Sequence, residues 1–584
     1  MLVGALAITA CEGGNGIVDP DPDPDPDPPA ETEEISGDIQ QDLTLSSDVR
    51  YRVVGDVRVR GATLTIEPGT WIEFEQETGL EVMDDGRISA DGTEADPIRF
   101  TGVVESPGSW DGISFRDSTH PSNLLDWVII EYGGRQAFHG STEPANLTVG
   151  RSLRPGSITL TNSTLRHSGG YGLYLHDNGA LPGSGSNTFT ENASGPAGLF
   201  ASVAHYLDGG SAYTGNGDSD HVAMTGDRVG DDVTWQALDV PYLVTGDAEV
   251  NDARLTIEAG AAFLFDGEAS LEIINGGVIR AEGTADDPIL FSGTQETAGW
   301  WQGIHMRDST SPENLLQHVI IEHAGRSAFH GSTEPAGLTV GRSLRPASVT
   351  LVNSTLRNNE GHGAYVHSNG GLPDSEDNTF TGNAAGAIMV WMNNAHHLDA
   401  GSSFTGNGDN DFAWVRGDRL EADATWQALD VPYGIRGDAE VRNEASLTID
   451  PGAVVAFDAE ASLTFHDAGA IRIIGTADDP IVFTGTQETA GWWQGIDLRD
   501  STHPNNAMEH VVIEYGGRSA AHSSTEPANL TVGRSLREAS ISITDSTIRH
   551  SGGYGLYVHG NSSVNGDACS VNDFSGNAGP DCSP

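Results

Sequence analysis

Residues 57–100 read VRVRGATLTIEPGTWIEFEQETGLEVMDDGRISADGTEADPIRF. Apolar residues come in short alternating pairs: Val57/Val59, Leu64/Ile66, Ile72/Phe74, Leu80/Val82, Ile88/Ala90 and Ile98/Phe100. Turns such as Glu67-Pro68-Gly69 and Asp84-Asp85-Gly86 fall between them. Period-two alternation broken by Gly, Asn and Asp is the pattern of strands buried on one face. These strands are too short and too many for an ordinary open sheet. No helix-period segments alternate with them, which disfavours α/β barrels and doubly wound folds. Three such strands plus turns make a coil of roughly 24 residues, the scale of a solenoid. With coils ~4.8 Å apart, the body of the chain makes about 22 coils and a rod on the order of 100 Å long.

The pattern extends along the chain, for example through Ser157-Ile158-Thr159-Leu160 and Gly172-Leu173-Tyr174-Leu175. It is also written almost three times. STEPAxLTVGRSLR begins at Ser141, Ser332 and Ser524, WxGI at Trp110, Trp301 and Trp493, and TWQALDVPY at Thr234 and Thr425. The period is 191 residues, with one extra residue in places. The units run over residues 42–232, 233–423 and 424–584, the last one truncated. LTIEPGTxIxF at Leu64 and DPIxFTG at Asp96 resemble the right-handed parallel β-helix proteins common on bacterial surfaces, which share the pectate-lyase-like architecture. The resemblance implies an all-β, single-stranded right-handed parallel β-helix. It says little about activity, because that fold hosts lyases, hydrolases, adhesins and structural rods.

The 584 residues carry 84 acids against 29 bases, a net charge of −55, and every base is arginine. Such a balance argues against a nucleic-acid partner, which rewards a basic face. No apolar run approaches the ~18 residues of a spanning helix. A hydrophobic share of 37% supports a sizeable core. Lysine-free, acid-rich composition resembles that of proteins from salt-loving organisms, whose carboxylate surfaces stay hydrated when molar salt shortens the Debye length to about 3 Å.

Leu6-Ala7-Ile8-Thr9-Ala10-Cys11 resembles a bacterial lipobox, which implies lipid attachment at Cys11 and removal of residues before it. Residues 1–11 are therefore read as signal and lipobox, and 12–41 as a disordered acidic linker around the run DPDPDPDPDPP at Asp19. The expected address is a bacterial cell surface or outer membrane, touched through a lipid anchor only. At the other end, Cys569 and Cys582 read as a disulfide capping the last coil, with two free thiols as the alternative.

Three features were weighed for chemistry. A polar string recurs in each unit, with Glu131 and His139, Glu322 and His330, Glu514 and His522 always eight apart and arginines between and beyond them. Glutamate with histidine suits acid/base work, and arginines suit an anionic sugar. The preferred reading is an Arg–carboxylate network stitching neighbouring coils, because a scaffold needs three copies and a catalytic site needs one. Asn216, Asp218 and Asp220, echoed by Asn407, Asp409 and Asp411, offer oxygens two apart that suit Ca2+, though a polar turn explains them as well. Trp301 and Trp493 offer flat faces for sugar rings, with packing over a loop as the commoner use.

The β-helix polysaccharide lyases use a lysine or arginine base, commonly beside calcium. The absence of lysine excludes the first version, and no local signature supports the second. No constellation confined to one unit emerges from the residues alone. The sequence is therefore read as a non-catalytic, surface-displayed rod, structural or adhesive, touching carbohydrate or other envelope components. The alternatives are a polysaccharide lyase or glycoside hydrolase on the same scaffold, and a self-associating filament or coat joined at the rod ends.

Overall fold

The computed structural model describes residues 29, 31–331 and 333–583. Cys11 and nearly all of the Asp-Pro run lie outside the described residues. The protein is a parallel β-helix: all named strand pairings are parallel, and each strand pairs with one a coil away. In the first unit the chain passes three faces in turn. The first carries Trp71–Phe74, Ile98–Gly102 and Val128–Glu131, the second Gly79–Met83, Gly112–Arg116 and Ala145–Val149, and the third Thr63–Ile66, Arg87–Asp91 and Leu124–Asp126.

Alternation explains the packing. In Thr63–Ile66 and Trp71–Phe74 every second residue is buried, so Leu64, Ile66, Ile72 and Phe74 point inward and form stacks with the coils above and below. In each unit the turn after one second-face strand brings glycine against the preceding coil. A Cβ on Gly86, Gly277 or Gly469 would lie 2.0, 2.3 or 2.2 Å from the carbonyl of Val59, Val250 or Val441. Only glycine fits there, which fixes the coil-to-coil spacing at this corner.

Two expectations need correction. Thr32–Ile39 already pairs with Arg50–Arg60, so the solenoid starts inside the segment assigned to the linker. Coils are not uniformly 24 residues long. Partners lie 18 apart at Thr32 and Arg50 and 35 apart at Val128 and Ser163, because loops of differing length leave the corners.

The unit boundary shifts the faces. The second-face strand Gly195–Phe200 pairs with Val222–Thr225, which leads to Tyr242–Thr245 and Ala262–Phe265 on the first face of the second unit. The same step recurs from Gly386–Trp391 to Ala413–Arg416 and Tyr433–Arg436. Each unit is thus turned about a third of a turn about the rod axis relative to the one before it. Features copied in all three units face three sides.

At the far end Cys569 and Cys582 form a disulfide that ties the short helix Ala568–Val571 to the last coil, where Cys582 pairs with Leu556.

Candidate carbohydrate grooves

Each unit carries a loop between its first- and second-face strands, residues 132–144, 323–335 and 515–527. The loop folds back over the outward side of the second face. Outward residues are therefore covered although they point away from the core: Ser114, His305 and Asp497 are 2%, 2% and 5% exposed. A groove lies between loop and strands in each unit. The first holds about 370 Å³, the second about 200 Å³ and the third about 450 Å³.

A ladder of paired residues runs along the second face at each groove, and all four of its rungs line the third. In the first unit Arg58, Glu81, Ser114 and Thr148 stack on successive coils. The second has Glu249, Glu272, His305 and Thr339. The third has Glu440, Thr464, Asp497 and Thr531. The wall supplies Phe138 and His139 in the first groove and Phe329 in the second, while the third has Ala521 in place of the phenylalanine.

The acids differ in how they are held. Glu81 accepts a 2.8 Å hydrogen bond from Arg116 Nε and a longer one, 3.4 Å, from Arg58 Nε. Burial opposes its ionisation, but these arginines and His139 together bring its pKa below the usual value. Glu272 has Arg307 at 3.2 Å, and burial raises its pKa. Asp497 accepts no hydrogen bond from Arg499 at 3.6 Å or from His522 at 3.7 Å, and its Oδ1 has no hydrogen-bond partner. Burial pushes its carboxyl up to about 6, against the pull of Arg499, Arg534 and His466. Burial and neighbouring arginines push His522 down to about 4, so its ring is neutral at pH 7.

The glutamate–histidine pairs read from the sequence are not formed. Glu131 sits on the first face, where Arg99 donates to Oε1 and Arg166 to Oε2, both at 2.8 Å. Glu322 takes Arg357 and Ser292, and Glu514 takes Arg549 and Thr484. These are stitches between adjacent coils. His139, His330 and His522 stand instead beside the grooves: His139 Nε2 is 3.6 Å from Glu81, His330 packs on Phe329, and His522 contacts Arg499. Eight-residue spacing crosses a corner of the solenoid and places the two side chains on different faces.

Trp301 and Trp493 are wholly buried and offer no face to a sugar. They stack on Phe265 and Phe457 at 4.2 and 4.0 Å, and each indole N–H donates to the carbonyl of Glu322 or Glu514. The calcium set is also dispersed. Asn216 donates to the carbonyls of Phe189 and Tyr213 and accepts from the backbone of Asn192, and Asn407 repeats this with Phe380, Phe404 and Asn383. Asp220 and Asp411 accept from the backbone N–H of Asn216 and Asn407, leaving Asp218 and Asp409 exposed in solvent. Asparagine here caps the backbone of a neighbouring coil, so it is not free for a metal.

Sequence reasoning missed the groove floor. The signal lay inside a repeated string: WDGISFR, WQGIHMR and WQGIDLR vary at the outward position, giving Ser114, His305 and Asp497.

Residues 37–139 and 418–531 match the family described as pectate-lyase like beta helix domain. Every residue that lines the first and third grooves falls within these two segments. A search of the curated proteins finds no match to the chain.

Proposed function

We propose that the protein is a carbohydrate-binding rod of a bacterial cell surface, lipid-anchored near its N-terminus, that engages saccharides through the grooves of its three units. The observation that carries this reading is the recurrence of one covered, polar groove on three sides of the rod. Its lining suits sugars: carboxylates, amides and hydroxyls for the ring hydroxyls, and in two grooves a phenylalanine for an apolar ring face. The likeness of two segments to pectate-lyase-like β-helices supports the same ligand class. Grooves on different sides favour bridging between strands of a matrix over lying flat on one surface. Simultaneous engagement then multiplies weak individual affinities.

A second reading, cleavage of the saccharide in the third groove, is favoured by one observation. Asp497 is a buried acid held near neutrality beside other carboxylates that line the same groove. A glycan array with the full chain, assayed in the same wells for reducing or unsaturated ends, tests both. Binding without product is the expected result. Product release that Asp497→Asn abolishes establishes the second reading, and no binding overturns both.

A further inference from the structure

We propose that the third groove is a site for a primary ammonium group, and that its ligand is an amino sugar. The inference rests on the carbohydrate reading and gives one of the grooves its own specificity.

The third groove carries a displaced charge. The first and second units carry glutamate at the second rung of the ladder, and arginine reaches it. The third unit has Thr464 at that rung and moves the carboxylate one coil up, to Asp497. There Asp497 is nine-tenths buried, with a side chain 7% exposed, and its Oδ1 has no hydrogen-bond partner among the described residues. A buried carboxylate with no hydrogen bond is costly unless something supplies a donor. Asp438, Glu440 and Glu460 line the same groove, whose one cation is Arg499. Arg518 already holds Glu460 at 3.1 Å, and Glu440 lies near Arg419 and His466, so the unmet need is at Asp497 itself: a donor to Oδ1 and a cation within hydrogen-bond distance.

An ammonium supplies both. It brings three N–H donors and one charge, and Asp497, Thr464 and Gln494 all line the groove with acceptor oxygens. A hard divalent ion fits less well, since it needs six to eight oxygens converging on one point. The groove carboxylates are not that close together. Among the described residues the one His/Asp/Glu group near enough to share an ion is Glu509, His510 and Asp545, which does not line this groove. The Ala521 substitution removes the aromatic wall that the other grooves offer to a neutral ring face. Charge is left as the main means of recognition.

The test is calorimetric titration of the full chain at pH 7.5 with a glucosamine hexamer, an N-acetylglucosamine hexamer and CaCl2, repeated with Asp497→Asn. The glucosamine hexamer is expected to bind at least tenfold more tightly than the acetylated one, and Asp497→Asn to abolish that preference. The melting temperature of Asp497→Asn, equal to or above that of the parent, shows that lost binding is not lost fold. Equal affinities for the two hexamers, unchanged in the variant, would overturn the ammonium site and leave the carbohydrate reading standing. Binding of neither hexamer would overturn both. Calcium binding that Asp497→Asn removes, without glucosamine binding, would make this a metal site and also overturn the inference.

Discussion

Thr464 and Asp497 stand opposite each other on adjacent coils, where the first unit pairs Glu81 with Ser114 and the second pairs Glu272 with His305. One carboxylate has been kept and moved by a single coil. It has left the hydrogen bonds of its arginine and entered a covered position.

That move has a stability cost that depends on pH. In the folded protein burial pushes the Asp497 carboxyl up to about 6, above its ordinary 3.8. The folded protein therefore holds this proton more tightly than the unfolded chain. The penalty is absent below about pH 4 and complete above about pH 6, amounting to at most about 3 kcal/mol. Arg499, Arg534, His466 and His522 all face the group, along with Glu440, so neighbouring titrations overlap its own. Asp497→Asn is expected to raise the melting temperature at pH 7.5 and to have little effect at pH 4. An equal effect at both values would show that the carboxylate is paired.

Glu131 should behave in the opposite way. It pairs with Arg99, whose side chain is 8% exposed, and also holds Arg166. Glu131→Gln removes the carboxylate from a buried ion pair that also holds Arg166, and about 3–5 kcal/mol of stability should be lost. Glu514→Gln should lose about 1–2 kcal/mol, because its partner Arg549 remains 42% exposed and water can replace the bond. Denaturant melts of the two variants give the comparison.

Asn407 distinguishes a ladder from a metal site. Removing its side chain strands the carbonyls of Phe380 and Phe404 in a buried corner. Asn407→Ala is expected to cost about 2–3 kcal/mol. The loss should be the same with excess calcium or with chelator, as read by thermal melts of parent and variant in both buffers.

The net charge of −55 is expected to make stability rise with salt. Most carboxylates lie on the surface, and their mutual repulsion weakens as the Debye length falls from about 10 Å at 0.1 M to about 3 Å at 1 M. The melting temperature should climb between 0.1 and 2 M NaCl. A flat or falling curve would show that local ion pairs such as Arg50–Glu73 dominate instead.

The fold was legible because its cause is local. Alternating pairs such as Leu64/Ile66 and Ile72/Phe74 decide which way each strand faces, and turn glycines such as Gly86 mark the corners. The site was less legible because its cause is not local. Whether Glu131 meets His139 or Arg99 depends on which face each occupies, and the intervening loop changes the face. Asp497 illustrates the same limit. Its neighbours in space, Thr464 and Thr531, are 33 and 34 residues away in sequence. Nothing in WQGIDLR reveals that residues 515–527 fold over it and leave it 5% exposed. The tryptophans failed as site residues for a related reason: Trp301 follows a turn but belongs to a core stack with Phe265.

The central claim is that the grooves under the three loops are the binding surfaces. Hydrogen–deuterium exchange of the full chain, with and without the strongest saccharide from the array, tests it most directly. Protection is expected in residues 132–144, 323–335 or 515–527 and in the second-face strands beneath them. Protection confined to the ends of the rod or to the third faces, with these loops unchanged, would contradict the account.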